Sequence, residues 1–225
     1  MKILQSPKGG EVLDATLTMY PSRLEVVEGR REITGSSATT YGYVVDGSAS
    51  VRTPQLQIRG EAGMFFAVPG DFSVEGGGRV VLIQRFGYRG LFVAGRIEET
   101  GRLSYIDGCS STILVPSARV GDPVLNYLRI PGGIDQSRHT HPSIRLGVIA
   151  RGSGKASGRN TLDGKNWEES LEPGTVFLLD AQELHSFSTV SSVEGLHVIT
   201  FHPDSDWGPT DDAHPMITRT HLRTK

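Results

Sequence analysis

The stretch IPGGIDQSRHTHPSIRLGVIARGSG, residues 130–154, decides how this chain is read. It opens on a Pro/Gly turn, carries His139 and His141 one residue apart, and runs through an apolar segment into a second Gly turn. That is the pattern of a β-strand between turns. On a strand, positions i and i+2 face the same way, about 6.6 Å apart along the chain. Two imidazoles so placed can converge on one ion, each nitrogen about 2 Å from it. On a helix the same residues would point to nearly opposite sides. All seven histidines lie from His139 onward.

Short runs rich in Val, Ile, Phe and Tyr fill the rest of the chain: YGYVVDG, QLQIRG, MFFAVPG, RVVLIQRFG, GLFVAG. The 28 glycines and 12 prolines separate these runs rather than pooling, which signals an all-β protein. Helical periodicity over a dozen residues is absent, and EESLE (Glu168 to Glu172) reads as loop. The length of 225 residues suits one large or two small domains. A net charge of −2, scattered without long runs, favours neither nucleic acid nor an anionic membrane as partner. The one cysteine, Cys109, excludes an internal disulfide framework. No apolar stretch spans a bilayer, and MKILQSPKGGEVL breaks too early for a signal peptide. The expectation is a soluble, cytoplasmic protein.

The chain repeats itself. Tyr43 to Ser48 matches Val148 to Ser153, and EAGMFFAVPGD (Glu61 to Asp71) matches EPGTVFLLDAQ (Glu172 to Gln182) without a gap. The C-terminal copy has a longer polar loop, RNTLDGKNWEES. PSARVGDP (Pro116 to Pro123) reads as a linker or crossing strand, giving domains 1–118 and 119–225. A single β-sandwich with coincidental similarity is the plainer alternative.

Gly133-x5-His139-x-His141-x3-Arg145-x6-Gly152 resembles the first cupin motif, and Gly174-x5-Asp180-x-Gln182-x2-His185 resembles the second. The likeness covers most of residues 128–203, and the repeat carries a weaker version over about 22–95. The resemblance implies two tandem antiparallel cupin-type barrels of double-stranded β-helix (jelly-roll) form, a bicupin. It further implies a divalent metal on His139, His141 and His185, a small-molecule substrate or ligand, and pairing as a homodimer. Carried backward, the alignment sets Thr34, Ser36 and Val74 opposite the three histidines. The N-terminal copy therefore has no imidazole site and serves packing, dimer formation or shielding, or binds an organic ligand without metal.

Two departures stand out. Where the family usually has a glutamate ligand, this chain has Arg145, and the second motif's usual Pro and Gly are Asp180 and Gln182. Strand parity through 139, 141, 143 and 145 points Arg145 inward. A guanidinium about 5 Å from a dication is repelled by roughly 7 kcal/mol at an effective dielectric of about 20. Arg145 then swings toward the barrel mouth, or binds an anionic substrate that also meets the metal, or there is no metal. Glu183 is a candidate replacement carboxylate, its plainer reading a solvated turn residue.

Three histidines with open positions suit a redox metal that takes substrate and dioxygen side by side, and some cupin dioxygenases resemble this chain in using histidines alone. Fe(II) is favoured, while Zn, Ni, Mn and Cu also accept imidazole. His197 and His202 sit at odd separation on GLHVITFHP, so at most one points inward. Both read as structural. His214 and His221 carry no assignment, and Trp207 and Met216 read as pins for the polar tail. Asp204, Asp206, Asp211 and Asp212 do not match an EF-hand. Cys109 lacks a CxxC partner or adjacent base, and Gly76-Gly77-Gly78 precedes a strand rather than a helix. The leading expectation is a metal-dependent enzyme acting on a small oxygenated or carboxylated compound by dioxygenase-like oxidative cleavage, Arg145 holding the substrate's anionic end. Isomerase and lyase chemistry come next. A non-catalytic binding or sensing protein is the alternative, and a purely structural bicupin comes last.

Overall fold

A computed structural model describes residues 1–34, 37–160, 164–191, 194–205 and 221–222. Ser36, Asp206, Trp207, Asp211, Asp212, His214 and Met216 lie outside these residues, as does part of the polar loop at 161–163. Of His221 only the backbone is described.

Among the described residues every strand pairing is antiparallel. Its first strands are β1 (Lys2–Leu4), β2 (Val12–Ala15), β3 (Ser22–Ile33), β4 (Ala38–Val44), β5 (Ser48–Arg52), β6 (Gln57–Glu61), β7 (Met64–Pro69), β8 (Phe72–Phe86) and β9 (Val93–Arg96). Then come β10 (Leu103–Ser104), a 3-10 turn at Ile106–Gly108, β11 (Ser110–Val115), β12 (Val124–Ile130), β13 (His139–Thr140) and β14 (Arg145–Gly152). The last are β15 (Gly154–Arg159), β16 (Asn166–Leu171), β17 (Val176–Leu179), β18 (Leu184–Ser188), β19 (Leu196–His202) and β20 (His221–Leu222). Among the described residues there is no α-helix, hence no helix able to cross a membrane. EESLE is not loop: most of it lies in β16, an edge strand where exposed glutamates are tolerated and Leu171 alone is buried.

Two compact units divide the chain, Pro7–Ile97 and Glu98–Lys225 joined by Met1–Ser6. This differs from the split expected at 118/119. Val115 pairs with Leu125 across the Pro116–Pro123 segment, so that segment is a connection inside one unit. Proline and glycine mark a hairpin turn as readily as a linker. Met1–Ser6 joins the C-terminal unit because β1 pairs along β17, Ile3 against Phe177.

In the N-terminal unit the sheet runs β2-β3-β8-β4-β7-β9, and β8 also pairs with β5, which pairs with β6. Its interior is apolar: Val27, Ile33, Val44, Val51, Met64, Phe66, Val68, Phe72, Val74 and Leu82 form one cluster. Each such side chain contributes about 1.5–3 kcal/mol by leaving water. The Gly76–Gly78 run lies inside β8, not before it. There a Cβ on Gly78 would fall 2.1 Å from the Asp46 carbonyl oxygen, so the tight turn after β4 requires glycine.

The C-terminal unit has a seven-stranded sheet, β1-β17-β14-β19-β12-β11-β10, and a five-stranded sheet, β16-β15-β18-β13-β20. Leu128, Ile149, Phe177, Leu179 and Val198 of the first pack with Ala156, Leu171 and Phe187 of the second.

The sequence repeat has a structural counterpart. Gly42 faces Phe66 in one unit and Gly147 faces Phe177 in the other. In both, a Cβ on the glycine would collide with the phenyl ring, at 2.0 and 2.3 Å. Gly63 and Gly174 share a left-handed turn (φ 91° and 87°), as do Gly47 and Gly152 (63° and 74°). One detail of the alignment shifts. Arg31 faces Val74 where His139 faces His185, and Thr34 is exposed. The path from Arg31 to Gly42 is longer than that from His139 to Gly147, so ungapped counting fails across it.

Candidate metal centre

His139 on β13 and His185 on β18 are direct cross-strand partners. His141 follows β13 immediately. The three ring centroids are 4.4 Å (139–185), 5.1 Å (139–141) and 5.1 Å (141–185) apart. One nitrogen from each ring lies within 4.8 Å of the others, and all three residues are buried.

Proton placement follows from the partners. The Nδ1 of His139 lies 2.9 Å from the Ser137 carbonyl oxygen, and the Nδ1 of His185 lies 2.9 Å from that of Glu183. A carbonyl only accepts, so each Nδ1 carries the hydrogen and each neutral ring keeps its lone pair on Nε2. Burial pushes all three imidazoles below their ordinary pKa, with the Arg145 charge adding to the effect. The donor set is thus held neutral with open lone pairs, the state a cation requires. Ser137 is itself fixed: its N–H and hydroxyl both donate to the Asp107 carboxylate, at 2.5 and 3.1 Å. Asp107 thereby positions His139 through one intervening residue.

The expected unbroken strand through 139, 141, 143 and 145 does not form. β13 ends at Thr140 and β14 begins at Arg145. Pro142 has no N–H for a ladder, and the His141 carbonyl instead accepts the Gln182 N–H at 2.7 Å. Gln182 adopts φ 61°, the left-handed region that favours glycine. The backbone keeps the turn of the motif although its glycine is gone. Ser143 turns its hydroxyl to the buried Asp204 carboxylate.

Arg145 is buried, 1 % exposed, and lines the same cavity as the triad. It does not swing to the mouth. Its Nη1 folds back to donate to the Ser143 carbonyl (3.1 Å), the Ser143 hydroxyl (2.7 Å) and the Ile144 carbonyl (2.8 Å). Through Ser143 it is linked to the Asp204 carboxylate. Glu183 is not a solvated turn residue: it is buried, accepts the Asp180 N–H at 3.1 Å, and pairs with the Met1 ammonium.

His197 and His202 diverge as strand parity requires. His197 bonds through Nδ1 to the Tyr127 hydroxyl at 2.7 Å. His202 lines the cavity, its ring 6.3 Å from that of His141. The cavity measures about 30 Å³ and is completed by Tyr105, Asn126, Leu128, Phe177, Leu179, Phe187 and Thr200. Asn126, Thr200 and Asp107 escaped the sequence reading, and Asp204 was weighed there only as part of a calcium loop. The alternation of VLNYLRI and HVITFH held a hint, since Asn126 and Thr200 are polar at positions whose parity matches buried neighbours. Cys109 is buried beside Gln136, and burial pushes its thiol up to about 11, away from nucleophile chemistry.

No family model and no curated protein sequence matches the chain. Solved structures do. A cupin 2 conserved barrel domain protein from Leptotrichia buccalis is 18% identical with TM-score 0.60, covering 89% of this chain and 95% of that one. A salicylate 1,2-dioxygenase variant from Pseudoaminobacter salicylatoxidans is 12% identical with TM-score 0.62, covering 91% and 75%. A Bacillus subtilis oxalate decarboxylase studied for its Mn(II) centres is 12% identical with TM-score 0.58, covering 89% and 74%. At these identities the likeness is one of fold, and the chain has the cupin fold.

Proposed function

We propose that this chain is a two-barrel cupin whose C-terminal barrel holds a divalent metal on His139, His141 and His185 and acts enzymatically on a small oxygenated or carboxylated compound. The observation that carries the reading is the meeting of three buried, neutral imidazoles in one cavity with a buried guanidinium. The donor set fits such an ion, because Nδ1–H is occupied at two rings and Nε2 is available. When bound, the ion supplies Lewis acidity and, as Fe(II), a place for dioxygen beside the substrate. We favour Fe(II) and oxidative cleavage. The dioxygenase and the Mn(II) decarboxylase among the structural relatives support redox or carboxylate chemistry in this fold.

The chain's own residues do the remaining work. Arg145 offers a fixed positive charge to a carboxylate, and an anion bound there offsets the repulsion between guanidinium and metal. Burial keeps the three rings unprotonated, and Leu128, Phe177, Leu179 and Phe187 exclude water. The N-terminal barrel, filled with apolar side chains, serves packing. The narrow cavity favours a very small ligand. The same narrowness favours the second reading, a binding protein without turnover.

Metal analysis of the purified protein tests the centre. One equivalent is expected in the wild type and far less than one in His139→Ala and His185→Ala, while full retention in both variants would overturn the proposal. Oxygen uptake with a panel of small organic acids then separates enzyme from binder. Arg145→Glu is expected to hold the metal at least as tightly while losing turnover.

A further inference from the structure

One row of the seven-stranded sheet borders the cavity of the three histidines. Asn126 on β12 pairs with Thr200 on β19, and Thr200 pairs with Gly147 on β14. Asn126 and Thr200 line the cavity that holds the triad and Arg145. Asn126 is 2% exposed, yet among the described residues its Oδ1 has no hydrogen-bond partner. Native proteins satisfy nearly all such buried acceptors, and an orphan beside a cavity marks where a water or ligand arrives. Gly147 adds no side chain, and the Phe177 ring covers it. The row therefore offers a single polar edge beside an apolar floor.

Resting on the metal-site reading above, we propose that Asn126 is a specificity-determining residue. Its Oδ1 accepts a hydrogen bond from a hydroxyl or amino group on a small carboxylate whose anionic end meets Arg145. The substrate class is then a short hydroxy or amino acid rather than its unsubstituted parent, and the cavity size holds it to a few heavy atoms. A site built to hydrogen-bond a substrate group rejects the analogue lacking it more strongly than an apolar pocket does.

Glycolate and acetate differ by one such hydroxyl and serve as probes. Calorimetric titration of the purified protein, with metal content measured on the same sample, reads both affinities. Glycolate is expected to bind at least tenfold tighter than acetate. Asn126→Leu should cut that preference to threefold or less, with acetate affinity and metal content unchanged, and Asn126→Ser should fall between. A hydroxyl beside a carboxylate also chelates a metal, so a preference that survives in Asn126→Leu belongs to the ion and overturns the inference. Equal binding of the two acids by the wild type overturns it, as does binding of neither. If Asn126→Leu fails to fold, an unchanged preference in Asn126→Ser overturns it. Metal uptake decides the other reading independently: Asn126-dependent preference in protein that takes up no added divalent metal upholds this inference and removes the metal centre.

Discussion

Asp107 sits in a left-handed turn (φ 55°) and uses both carboxylate oxygens to hold Ser137. The Ser137 carbonyl then fixes the ring of His139. Loss of a group that orients a metal-binding histidine typically costs 10–100-fold in metal affinity. Asp107→Ala is therefore expected to weaken metal binding about tenfold in a chelator competition, with the secondary structure seen by circular dichroism unchanged. The same burial that frees the imidazole lone pairs sets a pH dependence. All three rings are pushed below their ordinary value near 6.5, so the unfolded chain binds protons that the folded chain refuses. Their contribution is complete above pH 6.5 and is lost as pH falls below it, at up to about 1.4 kcal/mol per pH unit for each group. Thermal unfolding of the metal-free protein should show the melting temperature dropping between pH 6.5 and 5, and a flat profile there would contradict neutral burial.

At the scale of elements, the site depends on short strands and their turns. β13 and β18 place His139 against His185, and the Gln182 N–H holds the carbonyl of His141 just beyond β13. Gly152 closes β14 at φ 74°, where a Cβ would lie 1.8 Å from the Gly195 carbonyl oxygen. Gly152→Ala must shift the backbone between β14 and β19. It is expected to destabilise the protein by more than about 2 kcal/mol in urea unfolding, beyond the usual range for a surface change. This glycine was legible in the sequence as the last position of the first motif. The inward face of β12 was not, because a seven-residue strand with one asparagine reads equally as edge or core. Only pairing of Asn126 with Thr200 assigns its side.

For the whole molecule, the division of the chain decides which fragments can fold. β10 and β11 extend the sheet beyond β12, and β1 extends it beyond β17. A fragment of residues 119–225 would strip one edge of β12 and remove Leu114, Val115 and Cys109, all buried here. It is expected to be insoluble or to unfold without cooperativity, whereas residues 98–225 with residues 1–6 restored should give a cooperative transition by circular dichroism. Cooperative unfolding of 119–225 alone would overturn the boundary. The all-β class, the internal repeat and the three histidines could all be read along the chain, because turn residues, strand alternation and motif spacing are local properties. Which histidine neighbours which, where Arg145 rests, and that Asn126 and His202 share the cavity were decided by the tertiary structure. The reason is geometric: a cross-strand neighbour is fixed by register between segments dozens of residues apart, and a single-residue slip sends every side chain to the opposite face.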